Sequence, residues 1–66
     1  MIKVCFRRGH ELEFLAEVES LDKAWDYMSE DLKAKDIHPP YYRAWDDEEK
    51  RTVDYGSYTC FYEFYF

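Results

Sequence analysis

The C-terminal segment is the feature that most restricts how this chain can fold. Residues 57–66 read Ser-Tyr-Thr-Cys-Phe-Tyr-Glu-Phe-Tyr-Phe. Successive side chains of a β-strand point to opposite faces of the sheet. Tyr58, Tyr62, Phe64 and Phe66 therefore share one face, and Phe61 and Tyr65 belong to the other. Each aromatic ring can bury about 150–250 Å², so we predict that this segment is a strand that dominates the packing.

The length of the chain limits how much of that apolar surface can be covered. Its 66 residues suffice for one small domain, residues 1–66. A chain of this size buries only about 60% of the surface that its unfolded form exposes. We therefore expect its own elements to cover one face of the sheet and to leave the other face open.

Net charge and cysteine content indicate which partners and which cellular compartment to expect. The net charge of −6 argues against binding a phosphate backbone or an anionic membrane surface. No apolar leader follows Met1, so we expect a cytoplasmic location in which Cys5 and Cys60 stay reduced.

The first third of the chain predicts a β-hairpin. Apolar and polar residues alternate over 2–7 and again over 12–18, with the turn near Arg8–Glu11. In the second strand the residues that share the apolar face are Leu12, Phe14, Ala16 and Val18. Leu15 breaks this alternation, because it points with the glutamates toward the other face.

One helix and three further strands are predicted next. Ser20 is a typical N-cap, and an apolar stripe follows at helical spacing: Leu21, Trp25, Met28 and Leu32. The helix should end near Lys35–Asp36, before two prolines. Strands are expected over 41–45, over 51–55 and after Gly56.

These elements predict an α+β fold. We expect two layers, with an antiparallel sheet of four to five strands and one helix on one face. The order is β-β-α-β-β-β, or β-β-α-β-β if Gly56 only kinks one long strand.

The C-terminal third resembles a group of small phage and prophage proteins from Gram-positive bacteria. The similar part is Tyr41-Tyr42-Arg43-Ala44-Trp45, an acidic turn, and Val53-Asp54-Tyr55-Gly56-Ser57 followed by an aromatic strand. It covers about the last 25 residues of the chain. The resemblance implies an origin in a mobile element and a cytoplasmic setting in the bacterial host cell, and it implies no biochemical activity.

Catalytic, metal and cofactor sites are not predicted. His10 and His38 lie in predicted turns, and their spacing to Cys5 and Cys60 does not match a zinc motif. The carboxylates of 46–49 lie on a predicted hairpin tip, where solvent would prevent the separation of pKa values that acid–base catalysis needs. We therefore expect a protein that is not an enzyme and that needs no cofactor.

The open face is the predicted contact surface. We expect it to carry Phe61 and Tyr65, joined by Leu15 and Cys5. Either Tyr41 and Trp45 or Tyr42 adds to this face, depending on the register, and we favour Trp45. This surface is expected to bind a protein partner or a second copy as a homodimer. The acidic tip would form a rim of Asp46, Asp47, Glu48 and Glu49. The stems of Lys3, Arg7 and Arg43 could instead shield this patch.

Two alternative functions are DNA mimicry and the binding of single-stranded nucleic acid. Acidic residues on the helix and on the hairpin tip could mimic DNA phosphates and inhibit a host enzyme that binds nucleic acid. Exposed sheet aromatics could also stack on single-stranded nucleic acid, framed by nearby basic residues. The net charge makes a nucleic-acid partner the less favoured of these.

Overall fold

The computed structural model describes residues 1–66 as a five-stranded antiparallel sheet with one helix packed on it. The elements are β1 (Ile2–Arg8), β2 (Glu11–Val18), α1 (Leu21–Ala34), β3 (Arg43–Asp46), β4 (Lys50–Asp54) and β5 (Cys60–Tyr65). The strand order is β2-β1-β5-β4-β3. The predicted two-layer α+β fold and the order β-β-α-β-β-β are confirmed. Gly56 therefore lies between two separate strands.

The aromatic strand β5 occupies the centre of the sheet. It pairs with β1 on one side and with β4 on the other, so two strands flank it in each direction. Tyr62 and Phe64 are completely buried beneath α1, as their shared parity predicts. Tyr58 and Phe66 do not join them. Tyr58 lies before the strand begins and is 99% exposed, and Phe66 follows its last residue and is 52% exposed.

A two-residue loop, Gly9-His10, closes the predicted hairpin between β1 and β2. Gly9 has φ +60°, which is the conformation that the first position of a type II′ turn requires. The turn therefore falls inside the predicted range of Arg8–Glu11, which pair with each other across it.

A β-bulge in β2 overturns the predicted distribution of its side chains. Val4 pairs with Ala16, whereas the next residue, Cys5, pairs with Phe14, so Leu15 is an extra residue on the β2 side. A bulge of this kind breaks the simple alternation of faces. Residues on either side of Leu15 therefore point to opposite faces although they share the same parity.

The bulge moves two apolar residues away from the helix. Leu12 and Phe14 lie on the face of Arg7 and Cys5, and they are 44% and 60% exposed. Leu15 packs instead against the core beneath α1. The prediction that Leu15 belongs to the open face is wrong, because the extra residue lets the strand continue its apolar contact with the helix side.

Local signals fix both ends of α1. The Ser20 side chain accepts a hydrogen bond from the Lys23 backbone N–H at 3.3 Å, which is the predicted N-cap. At the other end Asp36 has φ 59°, and the Ile37 N–H donates to the Leu32 carbonyl at 2.9 Å. This is a Schellman motif, and it ends the helix where the sequence predicted.

The helix covers only part of the sheet. Its side chains complete a core of Val4, Phe6, Ala24, Met28, Leu32, Val53, Tyr55, Tyr62 and Phe64. It contacts β1, β2 and β5 and leaves β3 without a helix above it. No helix in the structure has the length and hydropathy that a membrane span requires.

The third strand begins two residues later than predicted. Tyr42 is not part of β3, because its ring packs edge-on against Trp25 of α1, with the ring centroids 5.9 Å apart. The preceding prolines 39 and 40 favour an extended chain that need not pair with a neighbour. β4 begins one residue earlier than predicted, at Lys50.

Candidate functional site: the open face of the sheet

The open face is the side of the sheet that faces away from α1. The pairing registers assign fourteen residues to it: Leu12, Phe14 and Glu17 of β2, Lys3, Cys5 and Arg7 of β1, Phe61, Glu63 and Tyr65 of β5, Lys50, Thr52 and Asp54 of β4, and Arg43 and Trp45 of β3.

A buried carboxylate occupies the centre of this face. Glu63 is only 5% exposed although no helix covers it. The Arg7 side chain donates to its two oxygens, from Nε at 2.8 Å and from Nη2 at 3.3 Å, and the Tyr65 hydroxyl donates to the same carboxylate. Glu63 therefore exchanges its hydration for three charge-assisted hydrogen bonds from side chains on either side of it.

This network shifts the pKa values of its members. Burial alone would raise the pKa of Glu63, but hydrogen bonds from Arg7 and Tyr65 and the positive charge of Arg7 outweigh burial and lower it. The pKa of Arg7 rises, mainly through its hydrogen bond to Glu63. Burial and the same carboxylate raise the pKa of Tyr65. All three groups therefore stay in their ordinary charge states at neutral pH.

The stability of the fold should consequently fall in acid. The pKa values of Glu63 and Asp31 are lowered in the folded state, where Asp31 accepts hydrogen bonds from Lys35 and Tyr62 against the effect of burial. Their contribution is fully present above the unfolded carboxyl range, about pH 4. It is lost as the pH falls through the lower folded values, because the unfolded chain then binds more protons. Urea unfolding between about pH 7 and pH 3 measures this loss.

A matched variant isolates Glu63 in that titration. Glu63→Gln should be less stable than the wild type at neutral pH and should lose less stability on acidification. Equal slopes for the two proteins would contradict a lowered Glu63 pKa.

Further ion pairs neutralise most of the other cations near this face. Arg43 Nη2 lies 3.0 Å from Asp54 Oδ2, and Lys50 Nζ lies 3.0 Å from Asp47 Oδ2. Asp54 also accepts a hydrogen bond from the Gly56 backbone N–H at 2.8 Å. The polar part of the open face is therefore largely satisfied by groups of the chain itself.

Exposed apolar groups lie at the two outer edges of the open face. At the β3 edge Trp45 is 50% exposed, and its ring meets Phe61 edge-on with centroids 6.3 Å apart. At the β2 edge the bulge exposes Leu12 and Phe14. Between these edges lies the ion-paired centre around Glu63. The open face therefore has an apolar region at each edge and a polar region at its centre.

The predicted contact residues are only partly brought together. Trp45, Phe61 and Tyr65 share the open face, and Leu15 lies on the other side of the sheet. Phe61 and Tyr65 are half-buried, so Trp45 is the exposed ring of this set.

Sequence reasoning missed three residues of this face: Phe14, Leu12 and Glu63. The only local signal for Glu63 is a lone acid inside an aromatic strand. For Leu12 and Phe14, the irregular position of Leu15 is the one hint that the alternation breaks.

The acidic tip is not a free array of carboxylates. Asp46 pairs with Arg51 through two contacts, at 2.6 and 3.0 Å, on the helix side of the sheet. Asp47 accepts hydrogen bonds from the backbone N–H groups of Glu49 and Lys50, at 2.8 and 3.0 Å. These bonds lower the pKa of Asp47, and the bond from Arg51 lowers that of Asp46. Only Glu48 and Glu49 extend from the tip without a side-chain partner.

Charge is unevenly divided between the open face and the rest of the surface. The open face holds four cations, Lys3, Arg7, Arg43 and Lys50, and three carboxylates, Glu17, Asp54 and Glu63. Its net charge is therefore +1. The other five basic and twelve acidic residues carry −7, which completes the total of −6. The open face thus differs in the sign of its net charge from the rest of the molecule.

Two grooves lie on the surface, one beside α1 and one at the first hairpin, where Leu12 of the open face contributes to its wall. The larger, of about 460 Å³, runs beside α1 and is lined by Val18, Glu19, Lys23, Asp26, Tyr27 and Glu30. Three of these six residues are acidic. The smaller, of about 300 Å³, lies beside the first hairpin and is lined by Phe6, Arg8, Glu11, Leu12 and Glu13. Neither groove brings a histidine or a cysteine to its wall.

The two cysteines are both free and lie on opposite faces. Cys5 is buried on the open face, and burial raises the pKa of its thiol. Cys60 is partly exposed on the helix side. Burial opposes ionisation there, but hydrogen bonds from Thr59, Ser57 and Tyr55 lower its pKa.

Comparisons of this chain with protein-family models, curated proteins and solved structures gave no match.

Proposed function

We propose that the chain is a small interaction protein without catalytic activity, which binds another protein through its open face. One observation carries this proposal. The half-exposed Trp45 ring is held against Phe61 on a face of net charge +1, whereas the rest of the chain carries −7. Tryptophan is among the residues that contribute most to protein–protein binding.

The fixed position of Trp45 favours binding. Its edge-on contact with Phe61 restricts the ring before a partner arrives, so less side-chain freedom is lost on association. The charge distribution favours the same surface. A partner that covers the open face leaves the −7 on the remaining surface in water, where it is solvated.

Single-stranded nucleic acid fits this face less well. A binder of that kind needs free cations beside its aromatic rings. Here Arg7 and Arg43 already hold Glu63 and Asp54, and Arg51 holds Asp46 on the other side of the sheet. Lys50 holds Asp47, so Lys3 is the open-face cation outside these pairs. A phosphate backbone would have to displace carboxylates of the chain itself.

An acidic mimic of DNA is the second candidate, and the groove beside α1 favours it over the hairpin tip. That groove presents Glu19, Asp26 and Glu30 together. At the tip, Asp46 and Asp47 are already bound to basic groups of the chain. A mimic would therefore bind its target through the helix side of the molecule. One variant on that side and one on the open face can distinguish between the two binding surfaces.

The test is capture of a protein partner by the wild type, by Trp45→Ser and by Tyr27→Ser. Trp45 lies on the open face and Tyr27 on the helix side, and both side chains are exposed, at 50% and 36%. We expect Trp45→Ser to weaken binding by at least about tenfold and Tyr27→Ser to leave it unchanged. The reverse pattern would favour the acidic mimic over the present proposal.

The proposal includes the setting implied by the resemblance of the C-terminal third. We propose a phage or prophage origin and a partner in the cytoplasm of the bacterial host. A gel shift tests the nucleic-acid alternative. If the wild type shifts single-stranded oligonucleotides at low salt and Trp45→Ser does not, the partner is a nucleic acid instead.

A further inference from the structure

We infer that the open face binds a second copy of this chain, sheet to sheet, about a twofold axis parallel to β5. This rests on the proposed function and names its partner. β5 is the middle strand, so such an axis places β2 of one copy over β3 of the other. The interface would be isologous, with each contact made twice.

The apolar edges of the open face match under this rotation. Cross-strand pairing aligns Phe14, Cys5, Glu63, Thr52 and Trp45 in one row across the sheet. Phe14 and Trp45 are its two ends, and they are the most exposed apolar side chains on the open face. The rotation exchanges the ends, so Phe14 of each copy meets Trp45 of the other. Both rings then leave water.

The next row matches in charge. Arg7 pairs with Phe61, and continuing the register of β4 by one residue places Asp54 on the other side of Phe61. The rotation therefore sets Arg7 of one copy over Asp54 of the other, and Phe61 over Phe61. At the ends of the row, Leu12 meets the stem of Arg43.

Like charges at the centre are already neutralised. The axis passes near Glu63, so the two Glu63 residues approach each other, but each carries its own Arg7 at 2.8 Å. The centre of the pair is therefore neutral overall. Lys3 meets Lys50 near one end, where Glu17 is the register partner of Lys3 and Asp47 binds Lys50. That end of the interface therefore contains carboxylates as well as the two lysines.

The area of the open face is large enough for a weakly associating homodimer. Five strands about 4.8 Å apart and about six residues long give a face of roughly 500 Å², about a tenth of the 4566 Å² surface of the chain. Two such faces bury roughly 1,000 Å², which is at the lower limit for specific interfaces. We therefore expect a dissociation constant in the micromolar range.

The test uses charge substitutions at the two ends of the apolar row. Phe14→Lys and Trp45→Glu should each raise the dissociation constant of the homodimer at least tenfold, measured by sedimentation equilibrium. The double variant Phe14→Lys/Trp45→Glu should form a homodimer whose dissociation constant is at least tenfold lower than the value expected if the two single effects simply added in free energy. β2 and β3 lie four strand spacings apart, about 19 Å, so such a rescue can arise only between copies.

The matched control is Phe14→Lys/Trp45→Lys, which removes the same two rings and places like charges across the interface. It should show no rescue. Far-UV circular dichroism of every variant establishes that the fold is retained. A wild type that stays monomeric at millimolar concentration, or a Phe14→Lys/Trp45→Glu variant that shows no rescue, would overturn the inference.

The two proposals fail in different ways. A monomeric wild type whose capture of a partner depends on Trp45 would end the second-copy inference and leave the proposed function intact. A monomeric wild type whose capture does not depend on Trp45 would end both.

Discussion

Phe64→Ala is expected to leave much of the chain unfolded at room temperature. Phe64 is completely buried in the central strand, and its ring meets Trp25 of α1 edge-on at 5.7 Å. Removing a buried phenylalanine side chain costs about 3–5 kcal/mol. A chain of 66 residues has a total stability of roughly 3–10 kcal/mol, so this one change removes a large part of it.

Urea unfolding followed by circular dichroism measures the effect, and Phe66→Ala is the matched control. Phe66 is the next residue of the same parity, but it is half-exposed beyond the end of β5. We expect its removal to cost less than about 1 kcal/mol. A similar loss for the two variants would contradict the placement of the core.

Glu63→Ala is the second large effect, with an expected loss of about 2–3 kcal/mol. The substitution leaves Arg7 without its carboxylate and the Tyr65 hydroxyl without its acceptor. Breaking a buried ion pair by removing one member costs about 3–5 kcal/mol. The Arg7 side chain is 30% exposed, so water recovers part of that loss.

A double variant tests whether this loss comes from the unpaired charge. Arg7→Met/Glu63→Met removes both charges and keeps side chains of similar length. Because apolar replacements of a buried pair are often neutral or stabilising, this variant should be more stable than Glu63→Ala. Glu49→Ala, at the exposed tip, should change stability by less than about 0.5 kcal/mol. A double variant less stable than Glu63→Ala would contradict the explanation.

Most of the fold could be predicted because its signals are local. The cap at Ser20, the apolar stripe of α1 and Gly9 each specify a conformation through neighbours a few residues away. The parity of Tyr62 and Phe64 correctly predicted which side of β5 the helix covers. These features need no knowledge of distant parts of the chain.

The composition of the open face could not be predicted in the same way. The bulge at Leu15 depends on how β2 aligns with β1, and either face could accept its apolar side chain. Glu63 is buried because Arg7, 56 positions away in the chain, lies on the neighbouring strand. Tyr42 likewise leaves its predicted strand for a contact with Trp25. Each of these outcomes is decided by tertiary contacts.

The bulge at Leu15 also limits lateral extension of the sheet at its β2 edge. A flat outer strand would offer a row of unpaired backbone groups to another chain, and sheets that join in this way can polymerise without limit. β2 is interrupted by its extra residue and carries three glutamates, and β3, at the opposite border, has only four residues. Neither border favours lateral growth, so association through the open face, as inferred above, would end with a closed pair and would not lead to a fibre.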